Sequence, residues 1–167
     1  MPTPPPPPAY PAGAAAPDTD DASAPDGTAV LPRAHFDPMN AVAATTEVFI
    51  VDDVPSMRAR LAEFITDIPG VKVVGAAGSK DDAIAGILDT HPTCVLLDYK
   101  LIGGTGVDVL RAVHAKTPHT VFVVLTNSPD PQYRRACMEA GADHFFDKST
   151  EFERIGEVIQ DLRQSSR

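Results

Sequence analysis

From residue 46 onward, short apolar runs alternate with stretches whose apolar positions recur three and four residues apart. The runs are EVFIV (47–51), VKVVGAA (71–77), TCVLL (93–97), TVFVVL (120–125) and ADHFF (142–146). Near-continuous apolar runs of this length read as strands buried on both faces. A helical pattern spans Pro55 to Asp67, with Met57, Leu61, Phe64 and Ile65 on one face and Pro55 suited to the first turn. Ser79, followed three residues later by Asp82, predicts a capping box that opens a helix to about Thr90. Further helices are predicted from about Gly106 to Lys116, near Asp130 to Ala140, and from about Thr150 to Gln164. In the last of these, Phe152, Ile155, Ile159 and Leu162 face inward. Five strands alternating with five helices imply an α/β, doubly wound parallel sheet covered on both faces. In such sheets the working site lies at the carboxyl ends of the strands.

Composition divides the chain near residue 46. Of 17 prolines, 11 precede that point, including the run Pro4 to Pro8. Five aspartates stand there against the single Arg33, and bulky apolar residues are few. Such a segment cannot bury enough surface to offset its ordering entropy, so residues 1–45 read as a disordered tail and 46–167 as the folded domain. The proline run is expected to be locally extended, as polyproline II. MNAVAATTEVFIVDD, from Met39, also reads as a natural beginning.

The formal net charge of −9 argues against a general affinity for nucleic acid or anionic membranes, which need a basic face. No apolar run is long enough to cross a bilayer, and the N-terminus lacks the basic start and apolar stretch of a secretory signal. A cytoplasmic location is the expectation. Cys94 and Cys137 are too few for a disulfide framework or a zinc site, and both read as small core residues.

The predicted strands deliver a specific set of groups to their carboxyl edge. The first ends in Asp52-Asp53, the third in Asp98 and the fourth in Thr126, and Lys148 closely follows the fifth. Each residue alone has an ordinary explanation as a cap, a turn or solvated surface. Together they place three carboxylates, a hydroxyl and an ammonium on one edge. Clustered carboxylates raise one another's pKa, and a hard divalent cation such as Mg²⁺ relieves that while keeping waters for a phosphate to replace. Lys148 adds a second positive charge, and Thr126 a donor. The set suits a phosphoryl group drawn toward a carboxylate nucleophile, Asp98.

VFIVDD (48–53), VLLDYKL (95–101) with Gly106 beyond, VVLTN (123–127) and FFDKS (145–149) make the stretch from Thr46 to Leu162 resemble the receiver domain of two-component response regulators. The resemblance implies a flavodoxin-like five-stranded parallel sheet of order 2-1-3-4-5. It implies that Asp98 accepts a phosphoryl group from a sensor histidine kinase or a histidine phosphotransfer protein. Asp52, Asp53 and Asp98 would hold Mg²⁺ together with the backbone carbonyl of Lys100. Thr126 would shift toward the phosphoryl group, Phe145 would move inward with it as an aromatic switch, and Lys148 would pair with phosphoryl oxygens. The chain would then be a switch rather than an enzyme, its own chemistry limited to self-phosphotransfer and autodephosphorylation.

Departures from the family pattern carry expectations of their own. Ile102 replaces a frequent proline and is followed by Gly103-Gly104, so that loop is expected to be mobile. Ser149 replaces a frequent cis-proline, so the cis bond is expected to be absent. Lys100 is expected to aim its side chain near the phosphoryl site and to alter the dephosphorylation rate. Few residues follow the last helix, so a single-domain, chemotaxis-type receiver without a DNA-binding output is expected, acting on an unknown downstream protein. The surface it would switch includes Tyr133, Arg134, Phe145 and residues along 150–160. FFDKSTEFE resembles receivers found ahead of LuxR-type DNA-binding domains. Deleting residues 1–40 is expected to leave fold and phosphorylation intact. The rival readings are a phosphorylation-independent scaffold, a relay intermediate or phosphate sink, a flavin carrier and a phosphohydrolase. In place of the flavin carrier's phosphate loop stands the acidic DDVPSM, and the second acid a phosphohydrolase needs is replaced by Lys100.

Overall fold

The computed structural model describes residues 44–166. The expectations for the proline-rich segment, the start at Met39 and the 1–40 deletion lie outside the described residues. Five strands form one parallel sheet: β1 (Thr46–Val51), β2 (Val71–Ala77), β3 (Cys94–Asp98), β4 (Val121–Thr126) and β5 (His144–Asp147), in the order β2-β1-β3-β4-β5. The helices between and after them are α1 (Pro55–Thr66), α2 (Lys80–Thr90), α3 (Gly106–Val113), α4 (Pro131–Glu139) and α5 (Arg154–Ser165). The doubly wound parallel sheet is the one the alternation implies, and its flavodoxin-like strand order is the one the resemblance implies. No helix among the described residues is long and apolar enough to cross a membrane.

Side chains alternate across the sheet and build two cores. Val48, Ile50, Leu96 and Leu125 face α1 and α5, where they meet Leu61, Ile65, Ile155 and Ile159. Phe49, Val51, Leu97 and Phe122 face the other way, onto Ile87, Leu110 and Cys137 of α2, α3 and α4. Each large side chain fully buried in these layers contributes about 1.5–3 kcal/mol. Burial also pushes the Cys94 thiol up to about 12, with the Asp143 charge adding to it, and the Cys137 thiol to about 11.

Helix ends differ from expectation in instructive ways. Ser79 does cap α2, accepting from the Asp82 N–H, but Asp82 receives the Ser79 hydroxyl instead of closing a reciprocal box. The complete capping box is at Thr105 and Asp108, which open α3. The third helix tightens into a 3₁₀ turn at His114–Lys116. Strand β5 starts at His144 rather than 142, because the Asp143 carboxylate is taken by the Phe122 N–H. Helix α5 begins at Arg154 rather than near Thr150, because Asp147 folds the intervening residues into a turn by accepting from the Ser149 N–H. Phe152, in that turn, is half-buried against Phe64, with ring centroids 5.0 Å apart.

Candidate functional site

Four strand ends converge on a cleft of about 400 Å³. Asp52 and Asp53 leave β1, Asp98 ends β3, Thr126 ends β4, and Lys148 directly follows β5; all line the cleft. One carboxylate oxygen from each of Asp52, Asp53 and Asp98 lies within 4.8 Å of the others. The Lys148 ammonium sits 2.5 Å from Asp52 Oδ2 and 3.2 Å from Asp98 Oδ2, with almost no access to water. Its backbone N–H donates to the Thr126 carbonyl, which fixes the lysine beside β4. The cluster anticipated at the strand ends is therefore brought together.

Asp52 is the most constrained member. Its N–H donates to Ala77 O, its Oδ1 accepts from the Val54 N–H at 2.9 Å, and its Oδ2 takes Lys148. Its carbonyl accepts from the Arg58 guanidinium at 2.6 Å. Sequence patterns do not single out Arg58, since a side chain that donates to a main-chain carbonyl leaves no residue signature.

Burial raises the Asp98 pKa from 3.8 to about 6, Lys148 opposes the shift, and the Asp52 and Asp53 charges add to it. Three carboxylates against one ammonium leave the site short of positive charge. Three clustered hard oxygens lining this cleft fit Mg²⁺. Lys100, exposed, lines the same cleft. The Thr126 hydroxyl is turned toward its own loop, where it accepts from the Ser128 N–H at 3.0 Å.

Three expectations change. The loop after β3 is pinned: Lys100–Leu101 and Gly104–Thr105 pair as a small antiparallel hairpin, and Ile102 exchanges hydrogen bonds with the β2–α2 loop, accepting from Lys80 N–H and donating to Gly78 O. Gly103, at φ 81°, provides the left-handed turn that closes the hairpin, so the glycines set a conformation instead of loosening one. Phe145 already points inward, 3% exposed in the core, with the Arg134 guanidinium 5.0 Å from its ring centroid; it is not part of the exposed surface. Tyr133 is half-buried, because it stacks on Tyr99 with centroids 4.4 Å apart. The bond after Lys148 is trans, as expected from Ser149, for no cis peptide occurs among the described residues.

The response regulator receiver domain model matches residues 48–160. The response regulator GacA of Pseudomonas aeruginosa is 30% identical over 118 residues, covering 71% of this chain and 54% of that protein. A protein-glutamate methylesterase/protein-glutamine glutaminase of Geobacter sulfurreducens is 31% identical over 122 residues, covering 72% of this chain and 33% of that protein. The chain thus spans from a third to about half the length of these curated relatives. Among solved structures, the receiver domain of a putative NarL from Mycobacterium tuberculosis superposes with a TM-score of 0.66 at 25% identity, over 72% of this chain and 97% of that one. A LuxR-family response regulator from Aurantimonas gives 0.67 at 24% identity, over 72% and 86%, a likeness of fold.

Proposed function

Since this chain belongs to the response regulator receiver domain family, we propose that it is a phosphorylation-controlled switch whose acceptor is Asp98. The observation that carries this reading is the Lys148 ammonium, buried between Asp52 and Asp98 at the floor of an open cleft lined by three carboxylates. An Asp98 carboxylate oxygen forms a bond to phosphorus as the phosphorus–nitrogen bond of a phosphohistidine breaks. The donor is a sensor histidine kinase or a histidine phosphotransfer protein, whose imidazole leaves with the electron pair. Asp52, Asp53, Asp98 and the Lys100 carbonyl would hold Mg²⁺, which when bound would supply positive charge for the phosphoryl oxygens. Lys148 turns from Asp98 to the transferred group, since formation of the acyl phosphate removes the charge of that carboxylate and places it on the phosphoryl oxygens. Thr126 Oγ1, which donates to the Ser128 carbonyl at 3.3 Å, exchanges that acceptor for a phosphoryl oxygen.

The β4–α4 loop loses one hydrogen bond in that exchange, and α4 follows it directly. The surface that reads the switch is therefore placed at α4 and its neighbours, with Arg134 exposed on it and Tyr133 and Phe145 beneath. Self-phosphotransfer and autodephosphorylation are the chain's own chemistry. The test is intact-protein mass spectrometry after incubation with acetyl phosphate and Mg²⁺, beside Asp98→Ala. Gain of one phosphoryl group that requires both Mg²⁺ and Asp98 supports the mechanism. No gain together with no Mg²⁺ binding overturns it and leaves a phosphorylation-independent scaffold.

A further inference from the structure

Strand β2 stops pairing with β1 at Ala77, where the Asp52 N–H meets the Ala77 carbonyl. Beyond that point the β2 chain turns to the acceptor loop: the Gly78 carbonyl accepts from the Ile102 N–H, and the Lys80 N–H donates to the Ile102 carbonyl. The Asp52 carbonyl lies past the end of the ladder. A buried main-chain acceptor without a donor is costly, and this one receives Arg58 Nη1 at 2.6 Å, reaching from the first half of α1. The space the guanidinium occupies is kept open by a glycine. A Cβ on Gly78 would stand 2.7 Å from Arg58 Nη1.

We propose that Arg58, seated over Gly78, is a positioning residue that aims the Asp52-Asp53 carboxylates at the cation they hold. The proposal rests on the reading of those carboxylates as Mg²⁺ ligands. Arg58 touches neither carboxylate and neither reacting atom. It anchors the peptide from which both carboxylates spring, at the one backbone atom of Asp52 that the sheet leaves over. With the Val54 N–H on Oδ1 and Lys148 on Oδ2, the bond from Arg58 completes the set of contacts that orient Asp52.

Electrostatics and positioning predict opposite signs for the removal of Arg58. A cation deleted near an acidic site strengthens Mg²⁺ binding by simple Coulomb attraction. A lost anchor weakens it. The experiment is a calorimetric Mg²⁺ titration of the full chain, Arg58→Met and Gly78→Ala. Gly78→Ala pushes the guanidinium aside and keeps its charge. The expected result is weaker Mg²⁺ binding in both variants, by at least about threefold and toward the roughly tenfold typical of residues that orient metal ligands. Tighter or unchanged binding in Arg58→Met overturns the proposal. Hydrogen exchange in metal-free protein provides an independent check. Exchange at the Val54 amide, which donates to Asp52 Oδ1, is expected to quicken in Arg58→Met while exchange in β4 stays put. An unchanged Val54 amide overturns the proposal as well. A wild-type chain that binds no Mg²⁺ counts against the phosphoryl-acceptor reading, and the exchange result then decides the role of Arg58 alone.

Discussion

The two ends of the same sheet meet the same problem and solve it with different chemistry. At the amino end, buried polar groups are hydroxyls that find main-chain partners nearby. Thr120 Oγ1 donates to the Pro92 carbonyl at 2.7 Å, and Thr117 Oγ1 to the Val113 carbonyl at 3.0 Å. Both groups are neutral and satisfied. At the carboxyl end, Asp52, Asp98 and Lys148 are buried as charges, and Asp53 sits half-exposed beside them. Charges could have been avoided there, as the amino end demonstrates. The carboxyl end therefore buries more negative than positive charge, which the hydroxyls of the amino end do not.

Removing the cation breaks this contrast most severely. Lys148→Met strands two buried carboxylates, and a loss of about 3 kcal/mol is expected at pH 8 from urea unfolding, in the range for breaking a buried pair. Phosphoryl uptake should fall with it. A loss below about 1 kcal/mol would mean that water already compensates the site.

Removing the acceptor charge acts in the other direction. The Asp98 carboxyl titrates at 3.8 when unfolded and about 6 when folded. The folded state therefore holds the extra proton between those values. Its stabilising effect is complete below about pH 4 and is lost as pH rises through about 6. Asp98→Asn mimics the protonated form, so metal-free protein should gain stability at pH 8, by about 2–3 kcal/mol from the shift. The gain should vanish near pH 4 and shrink with Mg²⁺. A thermal-denaturation series from about pH 4 to about pH 8 checks it, and a variant less stable than wild type at the upper end contradicts it.

At the amino end, Thr120→Val should cost only about 1 kcal/mol, the worth of one hydrogen bond. Mg²⁺ binding and phosphoryl uptake should be untouched; a change in either would dissolve the distinction between the two ends. The smallest effect concerns the rim of the cleft. Lys100→Ala is expected to change the rate of phosphoryl loss at least about threefold, or roughly 0.7 kcal/mol, measured by the decay of the phosphorylated mass after donor removal. An unchanged rate would assign Lys100 to solvent.

The inner strands were legible because burial on both faces leaves little room for polar residues, so VFIV, CVLL and VFVVL appear as unbroken apolar runs, while the edge strands carry Lys72 and His144. The carboxyl edge was legible for the same reason: a polar residue that terminates such a run stands out, as Asp98 does after VLL. What escaped was set by partners distant in sequence. Nothing in FFDKS announces that Lys148 pairs with Asp52, 96 residues earlier. The hairpin at Lys100–Thr105 escaped because its glycines signal a turn without saying what the turn is tied to. The late start of α5 depended on which donors the Asp147 carboxylate would take. Thr105-x-x-Asp108 was a readable capping signal that the neighbouring glycines obscured. The inward position of Phe145 depends on packing against the α4 side of the sheet, which no local pattern records.

Cys94 and Cys137 have a practical consequence. With both sulfurs fully buried and their pKa values pushed to about 12 and about 11, fewer than roughly one in a thousand is a thiolate at pH 8. The folded protein is thus close to blank toward maleimides and iodoacetamides. A single cysteine introduced on the exposed face of α4 would take a fluorophore or spin label without deletion of the native pair. The same two thiols, silent while the domain is closed, become reactive when it opens, so their slow modification keeps time for the opening of the core.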